Sequence, residues 1–268
     1  MTDPVPFRPY VPGSQPENNA PAYLGTIKRH PNQAPHKIPH TVTETTGPSF
    51  SLARFPPLAD LTMATGKSAL GERIIVAGGI TDESGRPVPH TMVEIWQANA
   101  TGRYDHPGDQ HDAPLDPNFH GAGRVFTDEH GRYKFLTVRP GAYPWPNHKN
   151  AWRPNHIHFS YFGPAFATRL VTQMYFPGDP LLALDPIFNA VPDPAARNRL
   201  IASAHGISSH VAPSSSSSRP CRSTVRVPSS KPRRPSAPAS AAAAASNRSP
   251  ATISRPNSSG TSATACVA

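Results

Sequence analysis

From Arg73 to Ile80 the chain reads R-I-I-V-A-G-G-I, from Thr81 to Pro87 it reads T-D-E-S-G-R-P, and from Val93 to Gln97 it resumes as V-E-I-W-Q. Ile and Val crowd their β-carbons and favour the pleated backbone, whereas Asp, Gly and Pro interrupt it, so the stretch predicts strand, turn, strand. A second copy of the turn follows about 46 residues later, F-T-D-E-H-G-R-Y from Phe126 to Tyr133 matching I-T-D-E-S-G-R-P from Ile80 to Pro87. Two such turns predict repeated hairpin geometry inside one antiparallel sandwich. Leu170 to Phe176, L-V-T-Q-M-Y-F, predicts another buried strand. One short helix is expected near Asp193 to Ser203, where Asp193 supplies an N-cap and Pro194 the first helical position. The predicted fold is mostly β, an antiparallel β-sandwich with an extended N-terminal arm and a disordered C-terminal tail.

The chain changes character along its length. Residues 1–70 are Pro-rich and poor in periodicity, with T-V-T-E-T-T-G-P from Thr41 to Pro48 as their clearest local feature, and predict an extended arm. Residues 71–204 hold the sandwich. Residues 205–268 contain Ser214 to Ser218, Ala241 to Ala245 and eight prolines, text too poor in large apolar side chains to offset the entropy of ordering. That tail carries eight Lys or Arg and no Asp or Glu, so it holds +8 of the formal +9, and the remainder of the chain is nearly neutral. With its charges dispersed and aromatics missing, the tail predicts no nucleic-acid partner. Cys221 and Cys266 both fall within it, which leaves the folded part without a disulfide framework or a thiolate metal site. No apolar run approaches the roughly 20 residues of a membrane span, and M-T-D-P-V-P-F is unlike a signal peptide, so no membrane partner and a cytoplasmic location are expected.

The chemistry concentrates between Gly102 and Ser160. Trp152 to Ser160 reads W-R-P-N-H-I-H-F-S, and His156 and His158, two residues apart on a strand, share a face and can present two imidazoles to one ion. Two polar residues on a solvated strand face would look the same. Tyr143 in P-G-A-Y-P-W and Tyr104 in G-R-Y-D-H-P sit among Gly and Pro, which predicts loops or strand ends held in one shape. A phenol, with a pKa of about 10, binds well only to an ion acidic enough to strip its proton. Ferric iron prefers such anionic oxygen, whereas zinc recruits Cys, His or carboxylate. Tyr104, Tyr143, His156 and His158 therefore point to one non-haem Fe(III) ion per chain; zinc held by the two histidines for hydrolysis is the alternative. No Ser-His-Asp ordering, phosphate-binding glycine loop or CxxC pair stands out in residues 71–204.

With G-E-R-I-I-V-A-G from Gly71, P-V-P-H-T-M-V-E-I-W-Q-A-N-A from Pro87, A-P-L-D-P-N-F from Ala113 and the Tyr143–Ser160 segment, the chain resembles the intradiol ring-cleaving dioxygenases from about Tyr23 to Ser203. The resemblance implies Tyr104 and His156 as equatorial ligands, Tyr143 and His158 as axial ones, and a solvent hydroxide completing five-coordinate Fe(III). It implies O2 and protocatechuate as substrates, 3-carboxy-cis,cis-muconate as product in the beta-ketoadipate pathway of aromatic catabolism, and an alpha subunit in a hetero-oligomer, across which the N-terminal arm packs. Two catalytic roles are implied: Tyr143 accepts a substrate proton, and Arg153 stabilises negative charge developing on the ring, help worth roughly 3 kcal/mol. Packing of Arg153 on Trp152 or Trp145 is its alternative. Tyr23, Trp145, Gln173 and Ile187 are implied to bind substrate, although Tyr23 also fits a surface residue of the arm and Gln173 a hydrogen-bonded strand residue. Catechol and hydroxyquinol dioxygenases rank second, because they carry a longer helical N-terminal region. A third reading is an inactive truncated paralogue: family members continue past the position of Ser203 with a strand-bearing segment, and the text here changes as a frameshift would leave it.

Overall fold

Strand β1 (Arg73–Asp82) runs antiparallel to β4 (Arg132–Val138), with Ile75 opposite Leu136 and Ala77 opposite Lys134. The computed structural model describes residues 11–28, 30–34, 36, 54–82, 85–145, 151–162 and 169–204, and the backbone of 224–226 and 261–267; Thr41 to Pro48 lie outside them. A second sheet has the order β3 (Ala122–Phe126), β2 (Met92–Trp96), β7 (His156–Phe162), β8 (Arg169–Tyr175), every neighbouring pair antiparallel. β5 (Tyr143–Pro144) and β6 (Trp152–Arg153) form a two-residue ladder beside it. No helix of the described residues is long and apolar enough to cross a membrane.

The core lies between the two sheets. Val76 and Phe135 from the first meet Val93, Ile95, Ile157 and Phe159 from the second, and the Phe159 ring sits 6.0 Å from Phe135 and 6.2 Å from Tyr133. In β7 the side chains alternate, so Ile157, Phe159 and Tyr161 enter this core while His156, His158 and Ser160 take the opposite face.

Both duplicated turns form, the first closed by an antiparallel bridge between Thr81 and Pro87, but neither joins two strands of one sheet. In each, the Asp backbone amide bonds the Arg carbonyl, Asp82 to Arg86 at 2.8 Å and Asp128 to Arg132 at 2.8 Å, and a glycine takes positive φ, +80° at Gly85 and +70° at Gly131. The flanking strands belong to different sheets: β1 pairs with β4, and β2 with β3 and β7. Pro87 and Pro89 have no amide to continue a ladder, and His90 adopts φ 52°, so the chain leaves β1 for the facing sheet. The turns thus serve as the corners of the sandwich.

Three Asp-Pro dipeptides start helical turns. Asp179, Asp185 and Asp193 cap a 3-10 helix (Pro180–Ala183), α1 (Pro186–Asn189) and α2 (Pro194–Asn198), each accepting from a backbone amide two residues on. The helix expected to reach Ser203 stops earlier, because Ile201 bridges to Tyr175 and the Ala202 amide bonds the Tyr175 carbonyl at 2.9 Å.

The ends of the chain contribute more than expected. Ahead of Gly71, Leu61 and Ala69 join the core, and the Asp193 amide bonds the Gly13 carbonyl at 2.9 Å. Most of 205–268 lies outside the described residues, but two stretches of the expected disordered tail are strands: β11 (Thr261–Val267) pairs antiparallel with β1 and parallel with β9 (Ser203–Ala204), and β10 (Thr224–Arg226) adds to β11. The reason is an edge: β1 has β4 on one side only, and T-S-A-T-A-C-V is a local β-compatible run hidden by the composition of the whole tail.

Phe159→Ala is expected to lower the unfolding free energy by about 3–5 kcal/mol, whereas Val171→Ala, 53% exposed on β8, should stay within about 0.5 kcal/mol; denaturant titration of both variants checks this.

Candidate metal centre

On the outer face of the second sheet, antiparallel register sets Trp96, His158 and Gln173 in one row, with His156 opposite Tyr175 in the next. Trp96 stacks on the His158 ring at 4.8 Å and 7°, which fixes the plane of that imidazole. His156 is buried, and its Nδ1 lies 2.6 Å from the Pro154 carbonyl. A carbonyl only accepts, so Nδ1 carries the proton and Nε2 presents a bare lone pair.

The two tyrosines arrive on loops that interlock. Asn99 organises the first: its Oδ1 accepts from the amides of Thr101 at 3.0 Å and Arg103 at 2.9 Å, and its Nδ2 donates to the Pro114 carbonyl at 3.0 Å. The Tyr104 amide donates to Asp109 Oδ2 at 2.8 Å. Gly102, at φ +87°, passes so near the second loop that a Cβ there would lie 2.1 Å from the Ala142 carbonyl oxygen. The Gly141 amide in turn donates to the Asn99 carbonyl at 2.9 Å, and Tyr143 pairs with Arg153 across β5 and β6. The Gly and Pro around both tyrosines therefore let two backbones meet closely enough to aim two phenols at one point.

The four donor atoms form a chain of short contacts. Tyr143 Oη lies 3.3 Å from His156 Nε2, His156 Nε2 lies 3.2 Å from His158 Nε2, and His158 Nε2 lies 3.1 Å from Tyr104 Oη. Burial, with Arg153 adding to it, holds His158 down at about 4, and burial, Arg153 and His158 together hold His156 well below the ordinary imidazole value. Both imidazoles are neutral at pH 7. Burial raises both phenols; Tyr143 raises Tyr104 further, while Arg153 opposes the rise at Tyr143. Among the described residues no group of three or more His, Cys, Asp or Glu side chains could hold a metal ion; the candidacy of the tetrad rests on its own four converging donors. It fits a hard, acidic cation: two neutral lone-pair donors and two phenols whose buried charge such an ion would stabilise.

Arg153 is buried beside the tetrad and packs over Trp145, as the alternative reading of its side chain expected. Its guanidinium lies 5.9 Å from the Trp145 ring, and its Nη2 also donates to Gln173 Oε1 at 2.6 Å. Gln173 is a hydrogen-bonded strand residue whose Oε1 also accepts from the Tyr175 hydroxyl at 2.7 Å. Tyr23 is half-buried, its ring 5.3 Å from Trp145, and with Ile187 it lines a cavity of about 280 Å³ between the N-terminal segment and α1. The four donors are not among the residues of that cavity wall. Sequence reading missed Asp185, which is fully buried against Arg153; its signal was the Asp-Pro cap, repeated three times between Asp179 and Pro194.

A family model described as Dioxygenase matches residues 45–219. The protocatechuate 3,4-dioxygenase beta chain of Burkholderia cepacia is 55% identical over 204 residues, which cover 75% of this chain and 86% of that one. The hydroxyquinol 1,2-dioxygenase of Rhizobium sp. (strain MTP-10005) is 33% identical over 57% of this chain and 54% of its own length. Among solved structures, the dioxygenase domain of a dioxygenase carbohydrate-binding protein fusion from Streptomyces sp. SirexAA-E is 29% identical at a TM-score of 0.43, covering 60% of this chain and 86% of that chain.

The lowered imidazoles make stability pH-dependent in a stated direction. His158 is neutral when folded and takes up a proton when unfolded at any pH between its ordinary 6.5 and about 4, so acidification favours the unfolded state across that window. Metal-free protein should lose about 3 kcal/mol through this group as pH falls from 6.5 to 4. His158→Asn should flatten that part of the curve, read by denaturant unfolding at a series of pH values.

Proposed function

The chain belongs to the intradiol ring-cleaving dioxygenases, and from that premise we propose that it cleaves protocatechuate with O2 to 3-carboxy-cis,cis-muconate, using one Fe(III) ion held by Tyr104, Tyr143, His156 and His158. The observation that carries this reading is the convergence of those four donor atoms, each within 3.3 Å of the next, beside a buried guanidinium. When bound, ferric iron supplies the Lewis acidity that stabilises phenolates and catecholate and the redox partner that opens the ring to O2. His156 and His158 contribute neutral lone pairs, kept so by burial. Tyr143 and Tyr104 contribute anionic oxygen, and Tyr143, on the two-residue strand β5, is the phenolate that accepts a proton from the substrate hydroxyl. Arg153 faces the negative charge that develops on the ring, and Trp145, Ile187, Tyr23 and Gln173 bound the space the ring occupies. Both oxygen atoms of O2 enter the product, whose two new carboxyl groups come from the bond cleaved between the hydroxyl-bearing carbons.

The choice of protocatechuate rests on the relative that is 55% identical, against 33% for the hydroxyquinol enzyme. The former is a beta chain, which supports an alpha-type partner subunit; Leu24, Ile27, Trp152 and Leu184, each 47% exposed or more, are apolar surface that such a partner would cover.

Oxygen uptake by the chain copurified with its partner subunit, offered protocatechuate, catechol and hydroxyquinol in competition, tests the reading. Preferred consumption of protocatechuate is expected, with one O2 used per ring; preference for catechol or hydroxyquinol would replace the substrate, and no uptake by iron-loaded protein would overturn the assignment. The same sample should absorb in the visible through tyrosinate-to-iron charge transfer, and the band should shift on anaerobic addition of protocatechuate. Arg153→Lys, which loses the planar fork, should lower kcat by about 10²-fold with the band retained.

A further inference from the structure

Arg153 and Asp185 are a buried ion pair, their side chains 3% and 0% exposed. Such pairs seldom add net stability, because desolvation offsets the attraction, so this one invites a reason in the site. The carboxylate is immobilised first by its own helix: Oδ1 accepts from the Ile187 amide at 3.2 Å and Oδ2 from the Phe188 amide at 3.3 Å. A group capped in this way cannot follow its partner, so the partner conforms to it. Arg153 Nε lies 3.1 Å from Oδ1 but its N–H is not aligned on an acceptor, and Nη2 reaches Oδ2 only at 3.4 Å. The hold is chiefly charge on charge.

The Tyr175 hydroxyl closes the arrangement, 3.2 Å from Nη2 and 3.3 Å from Asp185 Oδ2. These contacts and that of Gln173 all fall on Nε and Nη2; among the described residues Nη1 has no hydrogen-bond partner, and it is the nitrogen left to donate to a bound anion. The same carboxylate begins the segment that carries Ile187 to the cavity wall.

We propose that Asp185 is a positioning residue: its helix-anchored carboxylate neutralises the Arg153 guanidinium and sets it beside the four donors, in fixed relation to the Ile187 wall. The proposal rests on the reading of Arg153 as the group that stabilises charge on the substrate.

A double-mutant cycle tests it in the iron-loaded chain with its partner subunit. Asp185→Asn keeps the shape and one capping oxygen and loses the charge, and it should lower kcat on protocatechuate by about tenfold with a smaller change in KM. In the Arg153→Met background the same substitution should change kcat by less than about twofold, since there is no guanidinium left to position. An equal loss in both backgrounds would overturn the proposal and leave Asp185 as a helix cap. Melting temperatures supply a readout that needs no activity: Arg153→Met strands a buried carboxylate, so the double variant should melt above it, and additive shifts would show that the two side chains do not act as a pair. If the wild-type complex consumes no O2 with protocatechuate, the functional reading fails, and the melting cycle still decides whether Asp185 holds Arg153.

Discussion

The two-residue period of β7 is the constraint on which the rest depends. Ile157, Phe159 and Tyr161 must enter the core between the sheets, and because successive side chains take opposite faces, His156 and His158 are thereby committed to the other side. A slip of one residue would bury the imidazoles among phenylalanines and turn Phe159 outward. The hydrophobic core therefore sets the register that brings both imidazoles to the outer face. Cross-strand pairing extends that choice, since Trp96, Gln173 and Tyr175 share the face only because β2 and β8 are in register with β7.

The loops over this face solve a harder steric problem than the strands beneath them. Two phenols must reach the same point from separate segments, and the segments approach until Gly102 and Gly141 leave no room for a Cβ. Asn99 binds both, its side chain to one loop and its carbonyl to the Gly141 amide of the other. The position of Tyr104 relative to Tyr143 is thus fixed by backbone contacts, and the rings meet edge to face at 5.4 Å without having to determine it.

What was legible in the sequence was what has local causes. The strands show as runs of Ile and Val, the His-X-His face follows from strand period, and the tyrosines stand out because Gly and Pro surround them. The duplicated T-D-E-x-G-R turn was also legible as a turn, but where its strands go depends on Pro87, Pro89 and the facing sheet, which are matters of tertiary pairing. Asp185 escaped because an Asp before Pro reads first as a cap, and its second task needs an arginine 32 residues away. The strand at Thr261–Val267 escaped because composition was averaged over a segment whose last residues differ from the rest, while the edge of β1 that accepts them is visible only in the assembled sheet.

Protonation links the site to the stability of the whole chain. Without a cation the pocket is electrically quiet: two neutral imidazoles, two protonated phenols, and an arginine whose charge Asp185 offsets. Burial acts to lower the Arg153 pKa, but Tyr175 and Asp185 outweigh it, so the guanidinium stays charged and would repel an incoming metal ion if left alone. Asp185 offsets that charge, yet its carboxylate is engaged with the α1 amides and with Arg153, which leaves the phenols as the groups that could become anionic toward an ion. Binding of the proposed ion would therefore release phenolic protons and strengthen as pH rises. An unfolded chain offers no such convergence of donors, so whatever free energy the ion gains here is added to that of folding. The buried site, unfavourable for each of its groups taken singly, would become favourable through an ion shared by its donors.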